Sequence, residues 1–258
     1  MCQLKSCLVL KDRVFCPDYN SHQSMLEELG IKDDYLHASK TFVRVELTPP
    51  DDTKSLMEPL DRWMLRVDQD IVPEWWNVDA DRQRVEEAIE AWRKGHVFTE
   101  GKHIVKTETV YAYGDAEIQV YNDATVTAFD RAVVKAYSNA KVYAFGKTTV
   151  ETVSNAPVEA YDDATVKAYG IAKVQASDRA VVKAYSNATV QASDRAVVKA
   201  YSNATVEAYD NAKVKAYNSA TVKAYDNAMV KAYDRAIVIC PEEKKIIYPI
   251  GWTIETHE

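Results

Sequence analysis

The sequence predicts a mainly β protein: a two-sheet β-solenoid of 16-residue coils at 105–240, after a small α+β domain at 1–104 and before a capping hairpin in 241–258. Three observations lead to this fold class. From about 110 to 238, sixteen octapeptides follow one another with the consensus A-x-V-x-A-Y-x-x. Within each, small apolar residues alternate with polar ones, the two-residue period of a strand. Odd and even octapeptides also differ from each other.

The aromatic position shows the period of the repeat. Tyr or Phe occupies it in all octapeptides except those that carry Val153, Ser177 or Ser193. Asp-Asn, Ser-Asn or Asp-Arg follows the aromatic residue in most of them. Asp and Asn tolerate left-handed backbone, so these pairs predict corners between strands. One such unit cannot bury its inner face alone, whereas stacked units can.

Two octapeptides are expected to close each coil. The block VQASDRAVVKAYSNAT at 174–189 recurs unchanged at 190–205, a shift of 16 residues. The outward residue before Ala-Tyr is mostly Lys in one set of octapeptides, and mostly Tyr, Thr, Glu or Gln in the other. This predicts about eight coils, a rod about 38 Å long at about 4.8 Å per coil, and a dry core of Val and Ala without a ligand cavity. A triangular coil of three octapeptides is the alternative, but it would mix the two sets.

The N-terminal domain is expected to contain three to five strands and two helices. Ser21 predicts a helix N-cap and Gly30 a stop, while Asp79 and Gly95 bound the second helix. The predicted elements are a hairpin at 6–10 and 13–16, a helix to 29, strands at 41–48 and 63–68, and a helix at 80–94.

The end of the chain is predicted to cap the solenoid. Parallel stacking leaves open sheet edges, which polymerise unless they are covered. After 238 the octapeptide pattern stops, and 246–250 and 252–254 are typical of a short hairpin. Trp252 is expected to cover the last coil.

Composition bounds the function classes. The net charge is −7, but 107–240 hold 15 acidic and 15 basic residues, which does not indicate a general nucleic-acid-binding protein. No stretch is apolar enough to span a membrane, no signal peptide is recognised, and four cysteines are too few for a disulfide framework. A cytoplasmic location is therefore expected. Seven glycines and the absence of metal or nucleotide motifs predict no cofactor and no metal.

The stretch around 63–75 resembles that of a group of phage and prophage proteins of unknown function. Their pattern W-x-x-x-V-D-Q-D-x-x-P-x-W is matched here from Trp63 to Trp75, and short V-x-x-(A/M)-Y-type repeats follow it in both. The resemblance implies a phage or mobile-element origin, and hence a bacterial host cytoplasm. It implies no activity and no catalytic residues.

One face of the solenoid is a candidate binding surface. Lysines before Ala-Tyr and the tyrosines beside them would form two parallel rows along one sheet, and such a surface can bind a polyanion or a protein. The alternative is that Lys keeps the sheet soluble and Tyr stabilises it by stacking. This Lys/Tyr face comprises Lys135, Lys167, Lys183, Lys199, Lys215, Lys231, Tyr137, Tyr169, Tyr185, Tyr201, Tyr217 and Tyr233.

Two further candidates are acidic. Asp68, Asp70, Trp75 and Trp76 combine paired carboxylates with aromatics, which suits a partner surface or acid–base chemistry. Alternatively they form a strand end and core. The Asp residues that follow the aromatic position could bind calcium, but Asx-turn capping of the corners is the simpler interpretation.

The function expected from these features is a non-enzymatic interaction protein. It would bind a protein partner, for which the phage resemblance implies a host or defence component, or associate with itself as a homodimer. A nucleic-acid or nucleotide sequestering role for the Lys/Tyr face and an unrecognised enzyme in the N-terminal domain are the alternatives. Steep salt dependence of binding would indicate the nucleic-acid role.

Overall fold

The computed structural model describes residues 4–51 and 55–240, which fall into two compact units divided between Val97 and Phe98. The predicted capping hairpin at 246–250 and 252–254 lies outside the described residues. Within the described ranges, no helix has the length and apolar character needed to cross a bilayer.

The N-terminal unit is a small α+β fold, as predicted, but its described residues form three helices rather than the expected two, the third being the short helix Tyr35–Ala38. Its sheet is antiparallel, with the strands Lys5–Leu10 and Phe42–Thr48 in the centre and Val14–Phe15 and Met64–Val67 at the edges. Leu8, Met25, Leu26 and Phe42 pack together in its core. Its elements are β1 (Lys5–Leu10), β2 (Val14–Phe15), α1 (His22–Glu28), α2 (Tyr35–Ala38), β3 (Phe42–Thr48), a 3-10 turn (Leu60–Arg62), β4 (Met64–Val67) and α3 (Val78–His96).

The cap of α3 corrects the sequence prediction. The N-cap is Asn77 rather than Asp79, and its side-chain oxygen accepts from the N–H groups of Asp79 and Ala80. The Asn77 N–H in turn donates to Asp81 Oδ2, so the two side chains cap the start of the helix reciprocally. Gly95 does not end the helix, which continues to His96; a helical Gly costs about 1 kcal/mol relative to Ala and is tolerated here.

The second unit is a solenoid of two parallel sheets, one with nine strands and one with ten. Paired residues are 16 apart throughout the octapeptide region, as in Val166↔Val182. Two octapeptides therefore close each coil, and the triangular alternative is wrong. The strands are β5 (Val97–Phe98), β6 (Lys102–Val105), β7 (Thr109–Ala112), β8 (Glu117–Val120), β9 (Thr125–Ala128), β10 (Val133–Ala136), β11 (Lys141–Ala144), β12 (Thr149–Thr152), β13 (Pro157–Ala160), β14 (Thr165–Ala168), β15 (Lys173–Ala176), β16 (Val181–Ala184), β17 (Thr189–Ala192), β18 (Val197–Ala200), β19 (Thr205–Ala208), β20 (Lys213–Ala216), β21 (Thr221–Ala224), β22 (Met229–Ala232) and β23 (Ile237–Ile239).

The solenoid has about nine coils rather than the eight predicted. The additional strands are β5 and β6, which precede the octapeptide pattern and lack its consensus, and β23, which follows the last complete octapeptide. The first full coil is also one residue shorter, because Lys102 pairs with Glu117. A 15-residue coil has no counterpart in the repeat, so its strands could not be recognised from the period.

The core of the solenoid is the expected narrow layer of Val and Ala, nearly all of it fully buried. The first residue of each corner adopts left-handed backbone, as at Asp162 (φ 54°) and Ser186 (φ 58°). Asp, Asn, Ser or Gly occupies this position in every described octapeptide corner. At Gly114 (φ 56°) a Cβ would also lie 2.8 Å from the Thr99 carbonyl oxygen, so only Gly fits there.

Candidate functional site

The Lys/Tyr face lies on the outside of the nine-stranded sheet. Strand register places Lys167, Lys183, Lys199, Lys215 and Lys231 directly beside one another on five neighbouring strands of this sheet, β14, β16, β18, β20 and β22. Lys135 is separated from this row by Glu151, which pairs with it on one side and with Lys167 on the other. The structure thus brings five of the six predicted lysines into one uninterrupted row.

Apart from Glu151, which pairs with Lys167 at one end, the row has no acidic neighbour in the strand register. The outward positions of these five strands (β14, β16, β18, β20 and β22) hold Thr, Val, Met and six lysines, the sixth being Lys213, but no carboxylate. None of these six lysines makes an ion pair within 4–51 and 55–240. Two unit charges about 4.8 Å apart repel by about 1 kcal/mol even in bulk water, so the row is a standing electrostatic cost.

The opposite sheet shows a different arrangement of charge. There, Lys223 Nζ lies 3.2 Å from Glu207 Oε1, one coil away. The pKa of Glu207 is lowered, chiefly by this hydrogen bond and then by that of Tyr209. The outer positions of the ten-stranded sheet therefore mix both signs, whereas the charged outer positions of β14, β16, β18, β20 and β22 are all positive.

Tyrosines form a continuous stack beside the lysine row. The rings of Tyr169, Tyr185, Tyr201, Tyr217 and Tyr233 lie 4.8–5.0 Å apart between centroids and within 9° of parallel. Burial raises the pKa of the Tyr169 and Tyr217 hydroxyls. The sixth predicted tyrosine, Tyr137, stacks instead on Tyr121, because Val153 interrupts the ladder.

The Asp residues of the corners link successive coils. The predicted Asx-turn capping is wrong in its geometry, since the carboxylate accepts from the backbone N–H of the equivalent corner one coil earlier. Asp178 Oδ2 accepts from Asp162 N at 3.2 Å, and Asp210 Oδ2 accepts from Asp194 N at the same distance. An Asx turn would use an N–H within the same corner. The row serves as an inter-coil hydrogen-bond ladder.

Arginines beside the Asp row are paired unequally. Arg131 and Arg179 each bind a carboxylate one coil earlier in bidentate geometry, Asp115 and Asp163 respectively. Arg195 occupies the equivalent place one coil after Arg179, so the residue beneath it is another arginine. Its guanidinium makes no ion pair with any described residue.

The aromatic residues that follow the strands of the ten-stranded sheet form a second ladder of rings. This ladder has a gap, which the sequence did not reveal as a feature of the surface. Ser177 and Ser193 replace two successive rings, and their hydroxyls lie 3.0 Å apart. Tyr161 and Tyr209 bound the gap, and each hydroxyl donates to a Glu two residues earlier. The bond to Glu159 raises the pKa of Tyr161 to about 12. The 16-residue spacing of the two serines was the available signal, since it places them on adjacent coils.

The predicted N-terminal site residues are only partly brought together. Asp68 and Asp70 line an open cleft of about 550 Å³ with Asp33, Asp34 and Arg44. Neither tryptophan lines it. Trp75 is half-buried and donates its indole N–H to the Lys40 carbonyl at 2.8 Å, and Trp76 is half-buried in the turn after Pro73.

Asp68 also approaches two residues that the sequence did not single out as partners. His22 Nδ1 lies 3.3 Å from Asp68 Oδ2, and Glu46 supplies a third potential ligand atom within 4.8 Å of the other two. This is the one group in the described part of the chain with the ligands and spacing to hold a metal ion.

Comparison with known proteins gives no match to this chain among family models, curated proteins or solved structures. The function must therefore be argued from the geometry of the surfaces described above. The phage resemblance of 63–75 stays an expectation from the sequence.

Proposed function

We propose that the protein is a non-enzymatic interaction protein whose Lys/Tyr face binds an acidic surface of a protein partner. The observation that carries this proposal is the row of five lysines on β14, β16, β18, β20 and β22, with Lys213 beside it, none of which forms an ion pair with a described residue. The opposite sheet, built from the same repeat, mixes Lys with Glu. The repeat therefore accommodates carboxylates, and the cationic row is not imposed by the fold.

A bound acidic partner would offset the repulsion within the row. Each partner carboxylate near the row reduces the mutual repulsion of neighbouring lysines, and complementary potentials accelerate encounter and fix register. The half-buried tyrosines add apolar contact area beside the charges. Because strands and stacked rings are already ordered, little conformational entropy is lost on binding.

A protein partner fits the tyrosine stack better than single-stranded nucleic acid. Bases bind aromatic residues by stacking on open ring faces. In the row from Tyr169 to Tyr233, each inner ring has both faces covered by its neighbours at about 5 Å. The stack therefore offers ring edges and hydroxyls, which suit a protein surface.

The phage-like stretch at 63–75 supports a more specific proposal. If the chain is phage-encoded, the acidic partner is a component of the bacterial host or of its defence, and the protein acts in the host cytoplasm. Association of the face with a second copy is the competing outcome, because the Asp corner row advances with the same period as the lysine row.

The proposal is tested by charge reversal on matched faces. K183E/K199E places two carboxylates on the Lys/Tyr face, whereas K141E/K173E makes the same change in net charge on outward positions of the opposite sheet. Full-length protein is cross-linked in host extract, and each captured acidic protein is then purified and titrated. We expect K183E/K199E to weaken binding at least 10-fold and K141E/K173E to leave it unchanged. Equal effects of the two variants would remove the face from consideration.

Self-association and nucleic-acid binding are separated in the same series. If the face binds a second copy, sedimentation of the purified wild type shows a dimer and that of K183E/K199E shows a monomer. Titration with single-stranded DNA at increasing salt reports a phosphate-dominated interaction as a steep loss of affinity. Binding to DNA alone, without any captured acidic protein, would overturn the proposed partner class.

A further inference from the structure

Three residues of the N-terminal unit converge although they are 24 and 22 positions apart in the chain. His22 is the first residue of α1, Glu46 lies in β3, and Asp68 follows the last residue of β4. Antiparallel pairing of β3 with β4 sets Glu46 opposite Arg66, so Asp68, two residues beyond Arg66, is the diagonal neighbour of Glu46 on the same face of the sheet. One ligand atom from each of the three side chains lies within 4.8 Å of the others.

The imidazole of His22 is held with one nitrogen aimed at the carboxylate. Its Nε2 lies 3.2 Å from the carbonyl oxygen of Val45. A carbonyl only accepts, so Nε2 carries the hydrogen, and Nδ1 of the neutral ring presents a lone pair. That lone pair faces Asp68 Oδ2 at 3.3 Å. The ring is about nine-tenths buried, since 10% of the side chain is exposed.

Two lone pairs that face each other require a positive charge between them, either a proton or a metal ion. Among the described residues of the unit, two other His–Asp pairs allow a comparison. His37 Nδ1 lies 2.7 Å from Asp34, and His96 Nε2 lies 2.8 Å from Asp18, both the normal length of a charge-assisted hydrogen bond. The His22–Asp68 separation is about half an ångström longer than either.

The longer separation fits shared coordination of a cation. Zinc bonds of about 2.0–2.1 Å in tetrahedral geometry set neighbouring ligand atoms about 3.3 Å apart. Metal-bound His residues also donate their other N–H to a carbonyl or carboxylate, as His22 does to Val45. The geometry points to a divalent transition-metal site formed by His22 Nδ1, Glu46 and Asp68.

The ligand set defines the class of cation. One imidazole and two carboxylates suit Zn²⁺ or Mn²⁺ better than Ca²⁺, which prefers six to eight oxygens, or Cu⁺, which prefers sulfur. Asp68 is 47% exposed, so positions beyond the three protein ligands face solvent. The site would fasten α1 to the β3–β4 edge of the sheet.

Titration of the full chain with Zn²⁺ against a chromophoric chelator tests the site. We expect the wild type to bind one Zn²⁺ ion, and D68N, E46Q and H22N to bind it at least about 10-fold more weakly. The matched control H37N removes the imidazole of the ordinary Asp34–His37 pair, and its Zn²⁺ affinity should be unchanged. D68N changes an exposed side chain and keeps its size, so its fold is expected to persist, and circular dichroism checks this.

Two further readouts distinguish this site from a thiolate site and from a plain ion pair. Co²⁺ bound to His22, Glu46 and Asp68 should give visible d–d bands without the thiolate charge-transfer band that binding at Cys7 and Cys16 would produce. The thermal midpoint of the wild type should rise with Zn²⁺, and that of D68N should not. Absence of Zn²⁺ and Mn²⁺ binding at micromolar concentrations, or binding insensitive to D68N and H22N, would overturn the site and leave His22 and Asp68 as an ordinary ion pair.

Discussion

The carboxylate of Asp194 accepts a hydrogen bond from the backbone N–H of Asp178, 16 residues earlier, with an Oδ2···N distance of 3.3 Å. Both residues are left-handed, with φ of 54° and 55°. One side chain type therefore meets two requirements of the corner: it tolerates positive φ and it ties one coil to the next. Asn meets both as well, as the bond from Ser202 N to Asn218 Oδ1 shows.

Substitutions at Asp194 should separate these two contributions. D194A loses the inter-coil bond and strains the left-handed backbone, so we expect the free energy of unfolding to fall by about 1–2 kcal/mol. D194G loses only the bond and should fall less. D194N keeps both features and removes one charge from a row of aspartates, so it should equal or exceed the wild type. Urea unfolding measures the series; D194N as unstable as D194A would refute the hydrogen-bond role.

Restoring the interrupted aromatic ladder should stabilise the solenoid. S177Y/S193Y would add two rings between Tyr161 and Tyr209 and create three stacking contacts, each worth about 0.5–1.5 kcal/mol. We expect a higher thermal midpoint and a stronger near-ultraviolet tyrosine signal. The reciprocal control is Y201A, which removes a ring stacked at 5.0 Å on both sides and should destabilise, while Y201F should not. No gain in S177Y/S193Y would mean that the serine gap is incompatible with rings.

The Arg179–Asp163 pair should make stability depend on pH in the acidic range. The hydrogen bonds from Arg179 hold the pKa of Asp163 below its usual value. A carboxyl whose pKa is lowered by folding stabilises above its unfolded pKa, and this contribution is lost as pH falls through the folded pKa. R179Q should therefore be less stable than the wild type at neutral pH and equal to it in strong acid.

Arg195 provides the matched control for this prediction. It follows the same Ser-Asp motif but stands over Arg179 instead of a carboxylate. R195Q should leave the pKa of Asp163 unchanged, as measured by the ¹³C shift of its carboxyl group, and should be neutral or slightly stabilising. Equal pKa shifts in R179Q and R195Q would show that long-range charge, not the bidentate pair, lowers the pKa of Asp163.

Interrupting the lysine row should raise stability and weaken binding together. The chain already contains one such interruption, Glu151 between Lys135 and Lys167. K199E would repeat it between Lys183 and Lys215, and opposite charges on adjacent strands contribute about 0.2–1 kcal/mol each. We expect a higher free energy of unfolding at low salt and a smaller gain on adding salt than in the wild type. Lower stability in K199E would show that the lysines do not repel measurably.

The repeat made the solenoid predictable in detail, down to which residues share a row. Because each coil has 16 residues, residues 16 positions apart occupy equivalent places on neighbouring coils, as Lys183 and Lys199 do. Features outside the period were missed. The strands Val97–Phe98 and Lys102–Val105 lack the consensus. The Asn77 cap was missed because Asp79, two positions later, is also a residue type that caps helices.

The N-terminal sites could not be predicted from the chain alone. His22, Glu46 and Asp68 are distant in sequence and meet only through strand pairing and the position of α1. Asp68 was singled out, but its neighbours were not. The sequence suggests Trp75 and Trp76 as partner-binding residues, yet both are half-buried, and the Trp75 N–H donates to the Lys40 carbonyl. Local pattern cannot report such tertiary burial.

The pairing of two octapeptides per coil also governs how the gene can lengthen or shorten. Gain or loss of 16 codons adds or removes one coil and leaves every downstream side chain on its original sheet, and the block at 174–189 that recurs at 190–205 is an example of such a gain. Gain or loss of eight codons before Lys167 would keep the chain foldable but transfer every later lysine of the row to the opposite wall. Natural length variation in this protein should therefore occur in even numbers of octads.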